Sequence, residues 1–342
     1  MKNVVINETG KASEFKPDVI FEKYLKLAEK DVRDEFSQKR NLALSNCPAC
    51  RSKKKRIVFS HFGFEYAECL ACDSVYMNPR PLDAKIKKHY LESASASFWR
   101  NTLSKKTEGK RKEKIYEKRF QWFSDIAQNH LPCATTIADF NSKDPEYTKE
   151  FLQNGYFKRK IVINPYFNIL ALDKFNVDAS SYPVIEELAD SLEDRGMVDV
   201  ACAFEAIDCF ADVELLLKTI NALLCKGGLC FVTTISISGF DLQVLWGNST
   251  SIFPPDRINV FSRKGLELLF KRHGFDIIEY STPGFLDLDI VKNALKKDSS
   301  IELPRFVRTI LKNGDDQVYQ DFQEFLQLSK LSSFVRIVLK KK

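Results

Sequence analysis

The chain has 342 residues, 44% of them hydrophobic and 29% charged, with 27 phenylalanines. That composition suits a globular protein with a sizeable core and excludes a disordered or low-complexity chain. At roughly 100–200 residues per domain, the length fits one domain with additions. The formal net charge of +6, from 52 Lys and Arg against 46 Asp and Glu, is mild for this length and does not by itself argue for nucleic acid. Apolar stretches such as 215–217 and 222–225 fall far short of the ~20 residues of a membrane span. Residues 1–11 lack the apolar run of a signal peptide, so a cytoplasmic location is expected. In that reducing compartment the nine cysteines are expected to bind metal rather than form disulfides.

Pro17 and Asp18 give a helix-start signal, and Ile20, Tyr24, Leu27, Ala28, Val32 and Phe36 follow at helical spacing, predicting a long amphipathic helix or a pair of helices over 17–39. A compact cysteine module follows, ending in Asn78-Pro79-Arg80-Pro81. Within it, Cys47-Pro-Ala-Cys50 and Cys69-Leu-Ala-Cys72 are two knuckles separated by 18 residues. That spacing is the one a structural zinc site uses. Each turn aims two thiolates at one point, and four protein ligands leave no open coordination position, so zinc here is structural. A redox dithiol would need one knuckle and a thioredoxin-like βαβ surround, which is lacking. Cys133, Cys202, Cys209, Cys225 and Cys230 read as core filler. Arg51, Lys53, Lys54, Lys55 and Arg56 lie between the knuckles with Phe59, Phe62, Phe64 and Tyr66; these serve either a nucleic-acid-binding ribbon or a polar face and a packing face.

Residues 84–130 read as helical and basic, with Lys105, Lys106, Lys110, Arg111, Lys112 and Lys114 close together; the run is expected to be a solvated face. From about residue 134 short apolar runs (136–140, 159–163, 198–204, 229–235) alternate with helical stretches (145–154, 167–175, 185–192, 212–224). Such alternation implies a parallel sheet wrapped by helices. Gly227-Gly228 is expected as a helix C-cap. A helix over 263–273, a strand over 275–280, further helices to 331 and a last strand over 334–339 complete the pattern. The last two strands are expected to form an antiparallel edge. The fold class is α/β, doubly wound and Rossmann-like. The predicted division is a helical segment 1–45, a zinc module 46–82, a helical linker 83–133 and an α/β domain 134–342 with a helical insertion about 284–331.

Several stretches together carry a family resemblance: CPAC (47–50), FGFEYAECLACDSVYMNPRP (62–81), LLCKGGLCFVTTISISGFDL (223–242), PPDRINVFS (254–262) and GFDIIEYSTPGFLDLDIV (274–291). The chain resembles class I S-adenosylmethionine (SAM) dependent methyltransferases with an N-terminal zinc-binding segment, many of them associated with sugar or surface-glycan biosynthesis. The resemblance spans roughly residues 45–340 and implies a seven-stranded sheet with a reversed final hairpin.

It also implies a glycine-rich turn after the first strand of that sheet, where side chains would block approach of the cofactor. Asp139 stands where the family has its acidic residue, but the three glycine positions hold Asn141, Lys143 and Pro145. Asn164 replaces the acidic residue that grips the ribose hydroxyls; it can still hydrogen-bond, without the strengthening charge. The segment Phe204-Glu-Ala-Ile-Asp208 stands where relatives commonly show Glu-His, and Arg257 where they often carry His. If SAM binding is retained, Asp139, Asn141, Asn164 and Phe204 are the implied cofactor contacts. Asp208 and Arg257 are the catalytic candidates, since His61, His89, His130 and His273 sit in no recognisable cleft motif. His273 stands at a helix end, where a cation is favoured.

Retention of the shell with loss of the turn implies a non-catalytic, pseudo-methyltransferase binding or scaffolding protein. Its partner would be an active homologue or another glycan-pathway enzyme. The alternative is an active SAM-dependent methyltransferase with an atypical loop, acting on a sugar or nucleotide-sugar. A zinc-ribbon nucleic-acid binder is the third reading.

Overall fold

The computed structural model of the chain describes residues 3–5, 10–140, 144–163, 178–182 and 196–342. The helices expected over 167–175 and 185–192 lie outside the described residues. A short helix, Ala12–Phe15, precedes the long helix Asp18–Phe36, which buries Phe21, Tyr24, Ala28, Val32 and Phe36 at three- and four-residue steps; that spacing puts them on one stripe. Strand β1 (Leu42–Ala43) pairs with β5 (Arg80–Pro81), and between them run β2 (Lys55–His61), β3 (Phe64–Cys69) and β4 (Val75–Met77). A helix Asp83–Glu92 leads into a nearly continuous helical rod over 94–130, widened by two π-helical segments, Trp99–Ser104 and Lys112–Tyr116.

The α/β part follows. It contains β6 (Thr136–Phe140), β7 (Arg159–Ile163), β8 (Asp178–Tyr182), β9 (Val198–Phe204), β10 (Leu224–Ile235), the two-residue β11 (Asn259–Val260), β12 (Phe275–Ser281) and β13 (Phe334–Lys341). Helices Pro145–Gln153, Val213–Leu223, Phe240–Leu245 and Arg263–Arg272 connect them, and helices Asp287–Lys297, Arg305–Asn313 and Asp316–Leu328 separate β12 from β13. The main sheet has the order β12-β13-β10-β9-β6-β7-β8. Only β13 is reversed, antiparallel to both neighbours, so the expected mixed sheet of seven strands is what forms. Strands β6 and β9 carry almost no exposed positions, the mark of strands covered on both faces.

Two local expectations fail. Gly227 and Gly228 are not a helix cap: the helix already ends at Leu223, and both glycines lie in the irregular start of β10, between the Leu224 and Leu229 pairings. Gly227 takes φ +78° there, a conformation that favours glycine. Cys133 is exposed, whereas Cys202, Cys209 and Cys230 are buried.

A second sheet, β11-β4-β3-β2, ties the cysteine module to the α/β part, because β11 comes from the far end of the chain. The joint is dry. Cys47, Cys69, Cys72, Tyr66 and Met77 share one buried cluster with Leu266, Leu269 and Phe270. Gly265 is required at the contact, since a Cβ there would fall 2.0 Å from Ser74 Oγ. Arg272 clasps the first knuckle, donating to the carbonyls of Ala49 and Pro48, while Glu214 accepts from both Arg272 and Arg51. No helix among the described residues is long and apolar enough to cross a membrane.

Candidate functional site

The two knuckles converge as their spacing predicts. Cys47 Sγ lies 3.6 Å from Cys72 Sγ and Cys50 Sγ 3.5 Å from Cys69 Sγ, and the four sulfurs all lie within 4.8 Å of one another. A tetrahedral zinc with Zn–S bonds of about 2.3 Å needs sulfurs ~3.8 Å apart, so the residues fit that ion. The hydrogen bond between Cys47 and Cys72 lowers the Cys72 thiol and raises that of Cys47; a bound zinc would hold all four as thiolates.

The main cavity, about 420 Å³, opens above the C-terminal ends of β6, β9 and β10. The N-terminal segment closes it from above. Lys114 pairs with Glu14 at 2.8 Å, Arg111 donates to the Phe15 carbonyl at 3.2 Å, and Ala12 N–H donates to Asp289 at 2.8 Å.

On one side stand Asp139 at the end of β6, Phe204 at the end of β9, and Tyr147. Asp139 is 1% exposed, and its Oδ2 has no partner among the described residues. Burial pushes its carboxyl up to about 8, with Arg119 pulling only partly the other way. Arg119 lies over the Phe204 ring, 4.9 Å from its centroid. Asp144 caps the helix Pro145–Gln153, accepting from Glu146 N–H at 3.2 Å and from the Ser104 hydroxyl at 2.8 Å. Asn141 and Asn164, the other two implied cofactor contacts, lie outside the described residues.

In the middle is Glu205, held at φ +54° directly after β9. Arg119 and Arg257 each reach its carboxylate at 2.8 Å. Burial works against its ionisation, but Arg257 and Arg119 outweigh it and hold the group well below the usual carboxylate range. Arg257 also stands 3.4 Å from Asp208. Asp208 is fully buried, accepts from the Thr234 hydroxyl, and lies behind the cavity wall rather than on it. The two catalytic candidates are thus brought together, and Arg257 alone of them faces the cavity.

The far side is built by the loop before β11 and by the N-terminal helices. Asp256 accepts from Tyr24 Oη at 3.1 Å and from Tyr90 Oη. Asp241, also on the wall, has an Oδ1 without a partner among the described residues; burial and the nearby Asp287 raise its carboxyl well above the usual range. Of the histidines, His89 reaches the cavity, with Nδ1 2.8 Å from Glu35. The cation expected at His273 is disfavoured, because burial lowers its imidazole. The basic run divides: Lys105, Lys106, Lys110 and Lys112 are solvated as expected, while Arg111 and Lys114 turn inward to the cavity.

Residues 121–280 match the family model of a methyltransferase domain. The α/β domain has the methyltransferase fold. Its solved likenesses are remote. The plantazolicin methyltransferase BpumL in complex with S-adenosylhomocysteine (SAH) is 12% identical with TM-score 0.44, over 75% of this chain and 94% of that one. The Burkholderia thailandensis 1,6-didemethyltoxoflavin-N1-methyltransferase is 12% identical with TM-score 0.42, over 84% of this chain and 99% of that one. A SAM-dependent methyltransferase from Thermotoga maritima is 17% identical with TM-score 0.39, over 69% and 95%. No curated protein sequence matches the chain significantly.

Glu205, Arg119, Asp256, Asp241 and Lys16 are site residues that the sequence reading did not select. Glu205 carried a signal, standing within a segment already read as a departure from the family pattern. Arg111 and Arg119 are eight residues apart on a helix, two turns on one face, but the surrounding lysines hid that stripe.

Proposed function

We propose that the chain is a small-molecule-binding protein of the class I methyltransferase type, with SAM over the ends of β6 and β9 and an acceptor over β10. The observation that carries this reading is the cavity itself. A shell serving only as a scaffold gains nothing from holding open about 420 Å³ walled by buried carboxyl oxygens of Asp139 and Asp241 that lack a partner among the described residues, at a cost of about 1–3 kcal/mol each. The volume lies within the range of ligand pockets, about 300–1,000 Å³.

The residues present fit such a cofactor on one count. Asp139 offers a buried carboxyl oxygen with no partner among the described residues, which an amine or hydroxyl of the bound molecule would satisfy. Bound SAM would supply an electrophilic methyl group on a sulfonium. The protein's part is then placement: Phe204 and Tyr147 form an apolar wall, and the Arg119–Glu205–Arg257 chain fixes the boundary between the two halves. In-line transfer depends chiefly on that alignment. The acceptor class that the family resemblance implies, a sugar or nucleotide-sugar, suits a wall rich in charged hydrogen-bonding groups. The four cysteines serve as a closed structural zinc site.

A second reading, a non-catalytic binding or scaffolding partner of another enzyme, is favoured by the loss of all three glycines and by Asp144 and Pro145 at the start of the following helix. Calorimetric titration of the purified chain with SAM and SAH separates the two. Micromolar binding is expected. Neither heat nor thermal stabilisation at millimolar ligand would leave the scaffold reading standing.

A further inference from the structure

One cation in the cavity has no anion to itself. Lys16 follows the short N-terminal helix, and its ammonium points into the cavity beside the Phe21 ring, 4.8 Å from the centroid. Among the described residues it makes no hydrogen bond or ion pair.

The carboxylates that face it are already engaged. Glu205, at the end of β9, is held by Arg119 and Arg257. Asp256, in the loop before β11, takes the hydroxyls of Tyr24 and Tyr90 from the 18–36 and 83–92 helices. Two further cations face Lys16, Arg257 from the same loop and Arg111 from the helical rod. Lys16 is half-buried, and a cation–π contact pairs its charge only in part.

The position says which ligand is meant. Asp139, Phe204 and Tyr147 lie on the side where the fold places its cofactor. Lys16 sits against Phe21, whose ring stacks on Tyr24, the partner of Asp256, and it shares the cavity wall with the neighbouring Arg257.

We propose that Lys16 and Arg257 form an oxyanion subsite for the acceptor, so that the acceptor carries a carboxylate or a phosphate. Its assignment to the acceptor rests on the transferase reading above; the anion binding does not. An ammonium is a compact point charge, suited to one anionic oxygen, while Arg257, anchored by Glu205 and Asp208, presents a fixed field next to it. Burial first, and repulsion from Arg257 second, bring Lys16 down to about 8, so the subsite is charged at neutral pH and discharges just above it.

The test uses the full chain in chloride buffer of constant ionic strength, titrated with inorganic phosphate and with malonate. Heat and thermal stabilisation are followed with and without saturating SAH. One of the two anions is expected to bind saturably, and the tighter one names the acceptor's anionic group. Lys16→Met should weaken it by about tenfold or more, the loss of one charge-assisted contact, while Lys16→Arg retains it. In the wild type binding should fade between about pH 7 and about pH 9 as Lys16 loses its proton; in Lys16→Arg it should not. Unchanged binding in Lys16→Met, or no binding of either anion at tens of millimolar, overturns the subsite. Displacement of the anion by SAH overturns its assignment to the acceptor. If SAH itself does not bind, the wild-type, Met and Arg comparison still decides the subsite alone.

Discussion

Replacing Glu205 by Gln keeps its shape and removes the charge that two guanidiniums share. In the folded chain Arg119 and Arg257 each approach the carboxylate at 2.8 Å. Hydrogen bonds to charged groups contribute about 1.5–3 kcal/mol when shielded, exposed pairs only about 0.2–1 kcal/mol. Glu205 keeps 39% of its side-chain surface and lines the cavity, and the amide can still accept one hydrogen bond. Discounting for both, we expect Glu205→Gln to cost ~2 kcal/mol, a fall in Tm of ~3 °C for a chain of this size. The two arginines should not suffer alike. Arg257 retains Asp208 at 3.4 Å, whereas Arg119 is left with the Phe204 ring and a buried Nε that already lacks a partner among the described residues. A double-mutant cycle by urea denaturation should therefore give a larger coupling for Arg119→Met with Glu205→Gln than for Arg257→Met with Glu205→Gln. The pH profile supplies a second check. The folded carboxyl sits below its ordinary value, so its contribution is complete above the unfolded pKa of about 4.3 and disappears as pH falls through the folded value. The gap between wild type and variant should stay constant from about pH 8 to about pH 5 and close only in more acid solution. Equal stability of the two proteins at neutral pH, or a larger coupling at Arg257, would refute the reasoning.

Gly265→Ala should destabilise by ~2 kcal/mol, an overpacking penalty, since the new Cβ would lie 2.0 Å from Ser74 Oγ and that hydroxyl is held by Ser262 N–H at 3.1 Å; urea midpoints measure it. Asp139 has the opposite pH sign to Glu205. Its folded pKa is raised to about 8, so wild-type stability should decline between about pH 4 and about pH 8, with a slope of at most ~1.4 kcal/mol per pH unit. Asp139→Asn should abolish that slope in a denaturation series across this range. Elemental analysis should find one zinc per chain, and Cys72→Ser should lose it together with a large part of the thermal stability, because the knuckles share their buried cluster with Leu266, Leu269 and Phe270.

Which parts of this were legible beforehand follows from what writes a pattern into a sequence. Strands β6, β7 and β9 begin and end at the predicted residues, because each is an unbroken run fitted to a two-sided buried position. The start of β10 was hidden by Lys226, Gly227 and Gly228, which interrupt the run although the strand continues through them. Strand β8, Asp178–Tyr182, reads Asp-Ala-Ser-Ser-Tyr and has none of the branched apolar residues that announce a strand. The convergence of Cys47, Cys50, Cys69 and Cys72 was readable from spacing alone, since a knuckle is a local device. The cavity was not. Lys16, Arg119, Glu205 and Arg257 come from four distant segments and meet only through tertiary packing, and a basic residue gives no sign in sequence of whether it turns inward or outward.

One wall joins the cysteine module to the cavity. Strand β3 carries Cys69 at its end and Tyr66 three residues earlier, and Tyr66 Oη donates to the Arg257 carbonyl at 2.8 Å. One residue further on, the Ile258 carbonyl accepts from Met77 N–H at 2.8 Å, and Asn259 pairs with Tyr76. The Ser262 hydroxyl then donates to the carbonyl of Cys72, a member of the cysteine cluster. Residues 256–262 are thus stitched along their length to the strands of the cysteine module, and Asp256 and Arg257 at their start line the cavity. The module thereby splints one wall of the cavity. Tyr66→Phe isolates that role, because it removes one hydrogen bond to the Arg257 backbone and touches no ligand. It should cost ~1 kcal/mol in stability and leave one zinc per chain. The affinity for the anion that the wild type binds should fall several-fold, since Arg257 is then free to shift. Full zinc content with unaltered anion affinity would mean that Arg257 is positioned by Glu205 and Asp208 alone, and that the module stabilises the fold without shaping the site.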